Sequence, residues 1–335
     1  MFGTHEKFNL QRPPYGREGS GFYIYEDFYE HILRLSCFKS GEMISRSGFQ
    51  FDLRLFSDGE EREYTYFADE GSIRLDCPEG YAEIALTDED HLRIRGEGAQ
   101  LRLMLRPAIS DEGTRACRGI YQLQNGDWEG AFGKFGVLRL RKLAGDVSVA
   151  APWNAGTGAY DEVTFVFCGE NGLYEAALFE DMTEFKKLPE TFIPFDEVVE
   201  NNRQSFLKFK KNYRPVPEKY RETAEYAMWL LWTHRTKKTG GFKEPMILMH
   251  LQWMICAVSW QQTYNAMATL NNPKEAWRLF CTMFEHQDPE TGALSFCVAY
   301  FGGAVGGSPH PPFQGLGFAF LYSQFGDDML TYGEC

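Results

Sequence analysis

The chain has 335 residues and a mass of 38.5 kDa, which corresponds to about two domains at roughly 150 residues each. Hydrophobic residues make up 44% and charged residues 24%, with a mean hydropathy of -0.38. This composition excludes a disordered chain, a collagen-like repeat and a coiled-coil rod. The 34 basic and 47 acidic side chains give a net charge of -13, which argues against nucleic acid as a partner because its phosphates need cations.

Neither the start of the chain nor its cysteines indicate export or metal binding. The first thirty residues lack a basic segment followed by an apolar one, and eighteen apolar residues nowhere follow one another. We therefore predict a cytoplasmic protein with no membrane partner. The eight cysteines show no CxxC or Cys/His spacing, so we read them as reduced thiols and predict no metal and no cofactor.

Residues 20–180 are short segments in which apolar and polar residues alternate, which is the pattern of half-buried strands. Turn residues such as Ser57-Asp58-Gly59 separate these segments at hairpin spacing. The pattern predicts about ten strands in an antiparallel β-sandwich. The clearest alternation is found in residues 49–55, 91–95, 100–106 and 136–141.

The apolar period becomes helical after Pro189. We predict a polar connecting helix over residues 196–212, and Pro215 and Pro217 mark the domain boundary after it. The sequence thus predicts an all-β sandwich domain (residues 1–190), a linker (191–216) and an all-α domain (217–335). Four helices are expected in the all-α domain. The first begins at residue 218 and has an apolar stripe at Tyr220, Ala224, Ala227 and Leu231. The others cover residues 251–270, 273–287 (capped by Asn272) and 312–325.

Aromatic residues make up 16% of the chain, and five of the seven tryptophans lie between Trp229 and Trp277. Aromatic rings fill protein cores, and they also stack on the apolar faces of sugars. Residues 257–266 place Trp260 and Tyr264 among amides and hydroxyls at the entry of a helix. Those amides can bind sugar hydroxyls, or they can simply form the polar face of the helix.

Two later loops also carry polar residues. Residues 283–294 include carboxylates at a helix end, where a solvated turn would also place them, so we assign them no catalytic role. Residues 301–315 are rich in glycine, but they follow no strand, contain no GxGxxG and precede no lysine as a phosphate loop would. Glycines beside His310-Pro311-Pro312 are typical of a loop that covers a site and is fixed at the next helix.

Taken in order, the three segments resemble the six-hairpin glycosidases, most nearly glycoside hydrolase family 63 and its mannosylglycerate-hydrolase-like relatives. The family motif of a Trp, an Asp, an aromatic and a small residue is matched by residues 259–266. The Phe-x-x-Gln helix end is matched by residues 284–294, and the Pro-Pro before an inner helix by residues 308–315. The resemblance covers residues 196–325. It implies an (α/α)6 barrel after a β-sandwich and inverting hydrolysis of α-linked gluco- or manno-oligosaccharides.

This chain departs from the family at two points. Gln261 stands where the family has an Asp, and a neutral amide can bind hydroxyls but cannot accept a proton. Four helices are predicted, whereas the family barrel has twelve, which implies a fragment whose catalytic acid and base lie in later hairpins. No catalytic residue is therefore assigned, and the chain itself is expected to be inactive. The resemblance implies these sugar-contacting residues: Trp260, Gln261, Tyr264, His310 and Gln314.

Two other hypotheses fit the same residues. A complete, non-catalytic carbohydrate-binding or interaction module would agree with Gln261 in place of Asp. A structural protein without a ligand would bury Trp260 in its core. The fragment hypothesis further predicts an exposed apolar edge on the helical part, through which the chain would associate with itself.

Overall fold

The computed structural model describes residues 8–40, 49–87, 91–106, 117–132, 136–169, 172–181, 188–251, 255–300, 303–305 and 313–332. These residues form two compact units that divide between Arg203 and Gln204. In the described ranges, the first unit contains β-strands, a short 3-10 helix at Phe38–Ser40 and the start of one α-helix. The second consists of helices and three short strands.

The strands of the first unit form two antiparallel sheets. The first sheet has the order β1-β2-β3-β9-β14-β13, with β4 paired to β3, and the second has the order β10-β11-β12-β15-β8-β7-β6-β5. The strands of the first sheet are β1 Phe22–Glu26, β2 Leu33–Cys37, β3 Gln50–Ser57, β4 Glu60–Arg62, β9 Gln100–Leu105, β13 Asp146–Ala150 and β14 Thr164–Cys168. Those of the second are β5 Thr65–Ala68, β6 Ile73–Cys77, β7 Gly80–Leu86, β8 His91–Glu97, β10 Cys117–Gln122, β11 Trp128–Phe132, β12 Gly136–Ala144 and β15 Leu173–Asp181.

The two sheets share a core of aromatic side chains, so the predicted antiparallel sandwich is present. Phe51 of β3 and Phe132 of β11 are fully buried, with ring centroids 5.4 Å apart. Phe165 of β14 lies 5.6 Å from Phe51. Apolar residues at every second position of β9 point into this core and their neighbours do not, as the alternation predicts.

The predicted turn between β3 and β4 is a two-residue hairpin loop. Ser57 pairs with Glu60, and the intervening Asp58 and Gly59 have φ values of 53° and 82°. Two central residues with positive φ define the turn whose twist matches the flanking strands. An Asp-Gly pair adopts this conformation with little strain, which explains why the sequence marks the turn.

Helix α1, Phe195–Lys210, confirms the predicted connecting helix. Its first half packs on the sandwich through Val198 and Val199. Asn202 is 1% exposed and donates hydrogen bonds to the carbonyls of Gly71 and Leu86 (3.0 and 2.8 Å). The sandwich therefore continues into the helix through a satisfied buried amide.

The second unit contains the other helices: α2 Arg221–Thr233, α3 Ser259–Ala268, α4 Pro273–Cys281 and α5 Gln314–Phe325. Its short antiparallel sheet consists of β16 Cys256–Val258, β17 Cys297–Ala299 and β18 Gly303–Val305. The expectation of helices alone after the sandwich is therefore wrong. The predicted helix over residues 251–270 was too long, because Cys256–Val258 pairs with β17 and α3 starts only at Ser259.

The predicted apolar stripe of α2 was also placed wrongly. Tyr220 is 52% exposed, whereas Trp229 and Trp232 are fully buried and pack on Phe206 of α1 (5.8 and 5.3 Å between ring centroids). Burying two indoles removes more apolar surface than burying two alanines, so the indoles determine which face of the helix turns inward. The Asn272 cap is confirmed, since its side chain accepts from the backbone N–H of Glu275 (3.2 Å).

Helices α3, α4 and α5 share one apolar core that includes Ala266, Trp277, Phe280 and Leu321. The incomplete (α/α)6 toroid stays a prediction. In the described part of the chain, no helix is long and apolar enough to cross a membrane. Cys281 is disulfide-bonded, so the reading of all cysteines as reduced thiols was wrong at this position.

Candidate functional site

The candidate site is built on α3, which follows β16 without an intervening turn. Val258 is still extended (φ -90°, ψ 136°), and the N–H of Ser259 donates to the carbonyl of Phe296 (3.0 Å). The strand thereby fixes the start of the helix and the direction of its first side chains. At 100° per residue, Trp260 and Tyr264 lie on one side of α3, and Gln261 and Asn265 lie beside them.

Three aromatic rings meet at this side of the helix. The Trp260 and Tyr264 rings are 6.0 Å apart and perpendicular to each other. Phe313, which immediately precedes α5, lies 5.4 Å from Tyr264 and 6.4 Å from Trp260. Tyr264 is 41% exposed, so this aromatic trio presents part of its surface to solvent.

A glycine allows α5 to approach α3 closely. A β-carbon on Gly317 would lie 2.3 Å from Thr263 Cγ2 and 3.1 Å from Phe280 Cε2, distances at which carbon atoms clash. Only a residue without a side chain fits at this crossing. The crossing brings Phe313, which immediately precedes α5, beside the exposed side of α3.

Two amides beside the aromatic trio have atoms with no hydrogen-bond partner. Gln261 Oε1 and Asn265 Nδ2 are buried and have no hydrogen-bond partner within the described structure. The whole Asn265 residue is only 7% exposed. Gln262 differs, because it donates to the carbonyl of Ile247 and accepts from the Ile247 N–H (2.5 and 3.2 Å). Gln262 therefore holds the backbone in place, while Gln261 and Asn265 retain unused hydrogen-bonding capacity.

The structure brings together three of the five residues that the sequence singled out. Trp260, Gln261 and Tyr264 share one side of α3, and Gln314 is the half-buried first residue of α5. His310 lies outside the described residues. Sequence reasoning missed Phe313 and Asn265 as members of this group. The spacing of four residues from Gln261 to Asn265 was the available signal, since it places both amides on one face.

The site has little charge. Neither α3 nor α5 contains an acidic or basic residue. Aromatic faces and neutral amides stack on apolar surfaces and exchange hydrogen bonds with hydroxyls, but they do not transfer protons. Within the described ranges, no group of three or more His, Cys, Asp or Glu is arranged to hold a metal ion. The arrangement suits binding of a neutral, hydroxyl-rich molecule.

The acidic loop after α4 is a turn, as the sequence suggested. Asp288 Oδ1 accepts from the backbone N–H groups of Glu290 and Thr291 and from the Thr291 hydroxyl (3.0, 2.7 and 2.8 Å). These bonds lower the pKa of Asp288. Burial lowers the pKa of His286, and its Nε2 has no partner in the described structure.

No protein-family model and no curated protein matches the sequence. Among solved structures, the chain is similar to a family GH92 inverting mannosidase from Bacteroides thetaiotaomicron, with 6% identity and a TM-score of 0.53; the match covers 97% of this chain and 50% of that one. A second solved structure, of a GH92 family glycosyl hydrolase, is 10% identical to this chain with a TM-score of 0.47. That match covers 97% of this chain and 56% of the other. The chain spans about half the length of these proteins.

At 6% identity, the similarity to the mannosidase concerns the fold alone. It supports the coarse prediction of a glycosidase-like fold, with a β-sandwich followed by a helical part. The similar mannosidase is of family GH92, so the resemblance to family 63 stays a prediction.

Proposed function

We propose that this chain is a glycoside-hydrolase-like protein that binds an α-linked gluco- or manno-oligosaccharide at the side of α3 that faces the start of α5. The observation that carries the proposal is the partly exposed aromatic trio of Trp260, Tyr264 and Phe313 beside two unpartnered amides. The similarity in fold to a protein described as an inverting mannosidase supports the same class of ligand.

Each residue of the proposed site has a separate role. Trp260 offers a stacking face to a sugar ring, and Tyr264 extends that face toward solvent. Gln261 binds a sugar hydroxyl through its amide. His310 and Gln314 contact the oligosaccharide at the mouth of the site.

The proposal includes the wider organisation of the protein. The chain has domains at residues 1–190 and 217–335, joined by the linker 191–216. The helical part is the beginning of an (α/α)6 toroid of the family 63 type, and the protein is cytoplasmic.

Self-association through a helical edge belongs to the same proposal. Helix α5 has no charged residue, yet Leu316, Phe318 and Tyr322 are 54%, 42% and 46% exposed. Phe318 and Tyr322, four residues apart, share one exposed face of α5 with their rings stacked 6.1 Å apart, and such a face is typical of a surface covered by another element. A second copy of the chain would cover this face where further helices of the toroid do not.

A non-catalytic carbohydrate-binding module is the second candidate function, and Gln261 favours it. A family member active at this subsite has a carboxylate here, whereas the amide of Gln261 is neutral at every physiological pH. A module of this kind needs only the aromatic trio and the amides. Binding without hydrolysis would be its whole activity.

Calorimetric titration with maltotriose and with an α-linked mannotriose, alongside a hydrolysis assay, tests the proposal. We expect one of the two to bind, and Tyr264→Ala to weaken binding about tenfold or more, as the loss of an aromatic anchor does. Tyr220→Ala is the matched control, because Tyr220 is 52% exposed but lies outside the site. Binding of neither sugar would refute the proposal, as would equal effects of the two variants.

The assay does not by itself separate the two candidates, because each predicts binding without hydrolysis. Binding without any product supports the module or the fragment. The reading frame beyond codon 335 then distinguishes these two, because only a fragment is followed by further helical hairpins with acidic loop residues.

A further inference from the structure

The loop between β13 and β14 exposes a tryptophan that the proposed function does not use. Trp153 is 54% exposed, and no other tryptophan in the described part of the chain is classed as exposed. Tryptophan is strongly buried on average, because its large apolar surface gains most from leaving water. An indole in water at the tip of a loop is therefore a feature that needs a cause.

The indole is fixed in position. The Tyr160 ring lies 5.0 Å from it at an interplanar angle of 72°. The Asn154 N–H donates to the Ala159 carbonyl (3.0 Å), and Tyr160 and Cys117 exchange two backbone hydrogen bonds (2.8 and 3.3 Å). The backbone of the loop is thus held beside Trp153, and the Tyr160 ring supports the indole from one side, which lowers the entropic cost of binding a ligand against it.

A set of hydrogen-bonding groups lies in the same loop. Asp161 accepts from the Asn154 amide (2.5 Å) and from the Thr157 hydroxyl (2.9 Å). A carboxylate has about four acceptor positions, so Asp161 can accept further hydrogen bonds, and the exposed Asn154 and Thr157 offer both donors and acceptors. A β-carbon on Gly158 would meet nothing within 4 Å, which leaves open space over the loop.

The charge of the loop selects the class of ligand. Residues 151–163 contain Asp161 and Glu162 and no basic residue, so an anionic ligand such as a phosphate is repelled. A flat apolar ring beside fixed donors and acceptors matches a sugar, which has an apolar face and a rim of hydroxyls. We propose that Trp153, with Asn154, Thr157 and Asp161, forms a second binding site for a neutral saccharide, carried by the sandwich unit.

Tryptophan fluorescence of the full chain tests this site. Acrylamide, a neutral quencher that the net charge of -13 does not repel, reports the exposure of Trp153. We expect maltotriose or α-linked mannotriose to protect this fluorescence from quenching, and sorbitol, an open-chain polyol without a sugar face, to have no effect. The measurement is made in the Trp260→Ala variant, so that failure of the α3 site and failure of this site are distinguished.

Saturation-transfer NMR on the bound saccharide supplies the second readout. In the Trp260→Ala background, Trp153→Ala should weaken binding about tenfold or more, whereas Trp153→Tyr should retain most of it. Unchanged circular dichroism would show that both variants fold. The proposal would be overturned if Trp153→Ala left saccharide binding unchanged. It would also be overturned if tetramethylammonium, but neither saccharide, protected the tryptophan fluorescence from acrylamide, because that result would indicate a cation site.

Discussion

Replacing Gly317 with alanine tests the contact between α3 and α5 on which the candidate site depends. The added β-carbon would lie 2.3 Å from Thr263 Cγ2 and 3.1 Å from Phe280 Cε2, and both side chains are at least 95% buried. Gly315, two residues earlier on the same helix, has no atom within 4 Å of the corresponding position. The two substitutions are chemically identical and differ in the space that receives the methyl group.

The magnitude follows from two opposing terms. Gly→Ala in a helix stabilises by roughly 0.5–1 kcal/mol, whereas overfilling a packed core destabilises by about 1–3 kcal/mol. We expect Gly315→Ala to be neutral or slightly stabilising. Gly317→Ala should have a free energy of unfolding lower than that of Gly315→Ala by about 1–3 kcal/mol, the overfilling term alone.

Urea unfolding followed by circular dichroism measures the difference, and Thr263→Ser identifies its source. Serine keeps the hydroxyl but removes Cγ2, so this substitution should restore part of the stability lost in Gly317→Ala. In the parent chain the same substitution should destabilise, since it removes a buried methyl. Equal stability of the two alanine variants, or no rescue by Thr263→Ser, would refute the close crossing of α3 and α5.

Three further predictions concern buried polar groups. Burial lowers the pKa of His234 to about 4, so the unfolded state binds more protons than the folded state between pH 6.5 and 4. The free energy of unfolding should therefore fall by about 3 kcal/mol as the pH drops through that window. His234→Gln should flatten this slope in urea titrations at several pH values. Gln262→Leu leaves both backbone groups of Ile247 without their partner and should cost about 2 kcal/mol or more, measured by urea unfolding at pH 7. Arg34→Met removes a guanidinium that is 1% exposed and bonds three carboxylates, and should cost about 3–5 kcal/mol in the same assay.

The last two of these variants each have a control of the same residue type. Gln324→Leu changes an exposed amide that bonds only Ser323 in the described contacts, and Arg54→Met changes a side chain that is 25% exposed. Equal effects of a variant and its control would contradict the role given to the buried residue.

Much of the sandwich could be predicted from the sequence, because strand alternation and turn chemistry are local signals. Residues 100–105 and the Asp58-Gly59 turn formed as expected. In β8, however, Arg93 is 3% exposed although the alternation placed it in water. Its guanidinium bonds Glu175 and the carbonyl of Ile193, partners 82 and 100 residues away that no local pattern reveals.

The helical unit was less predictable, since its elements depend on long-range pairing. Residues 256–258 have no strand signal of their own and become β16 because β17, some forty residues later, pairs with them. For the candidate site, the sequence indicated Trp260, Gln261, Tyr264 and Gln314, but not Phe313 or Asn265. The contribution of Phe313 depends on the crossing at Gly317, which is a property of two packed helices.

Hydrogen–deuterium exchange of the full chain, with and without a saturating α-linked mannotriose or maltotriose, tests the central claim most directly. If the aromatic and amide side of α3 binds the oligosaccharide, amide exchange slows in peptides covering residues 256–268 and 313–325. The Trp260→Ala variant should lose this protection. Unchanged exchange in both segments at saturation would contradict the account.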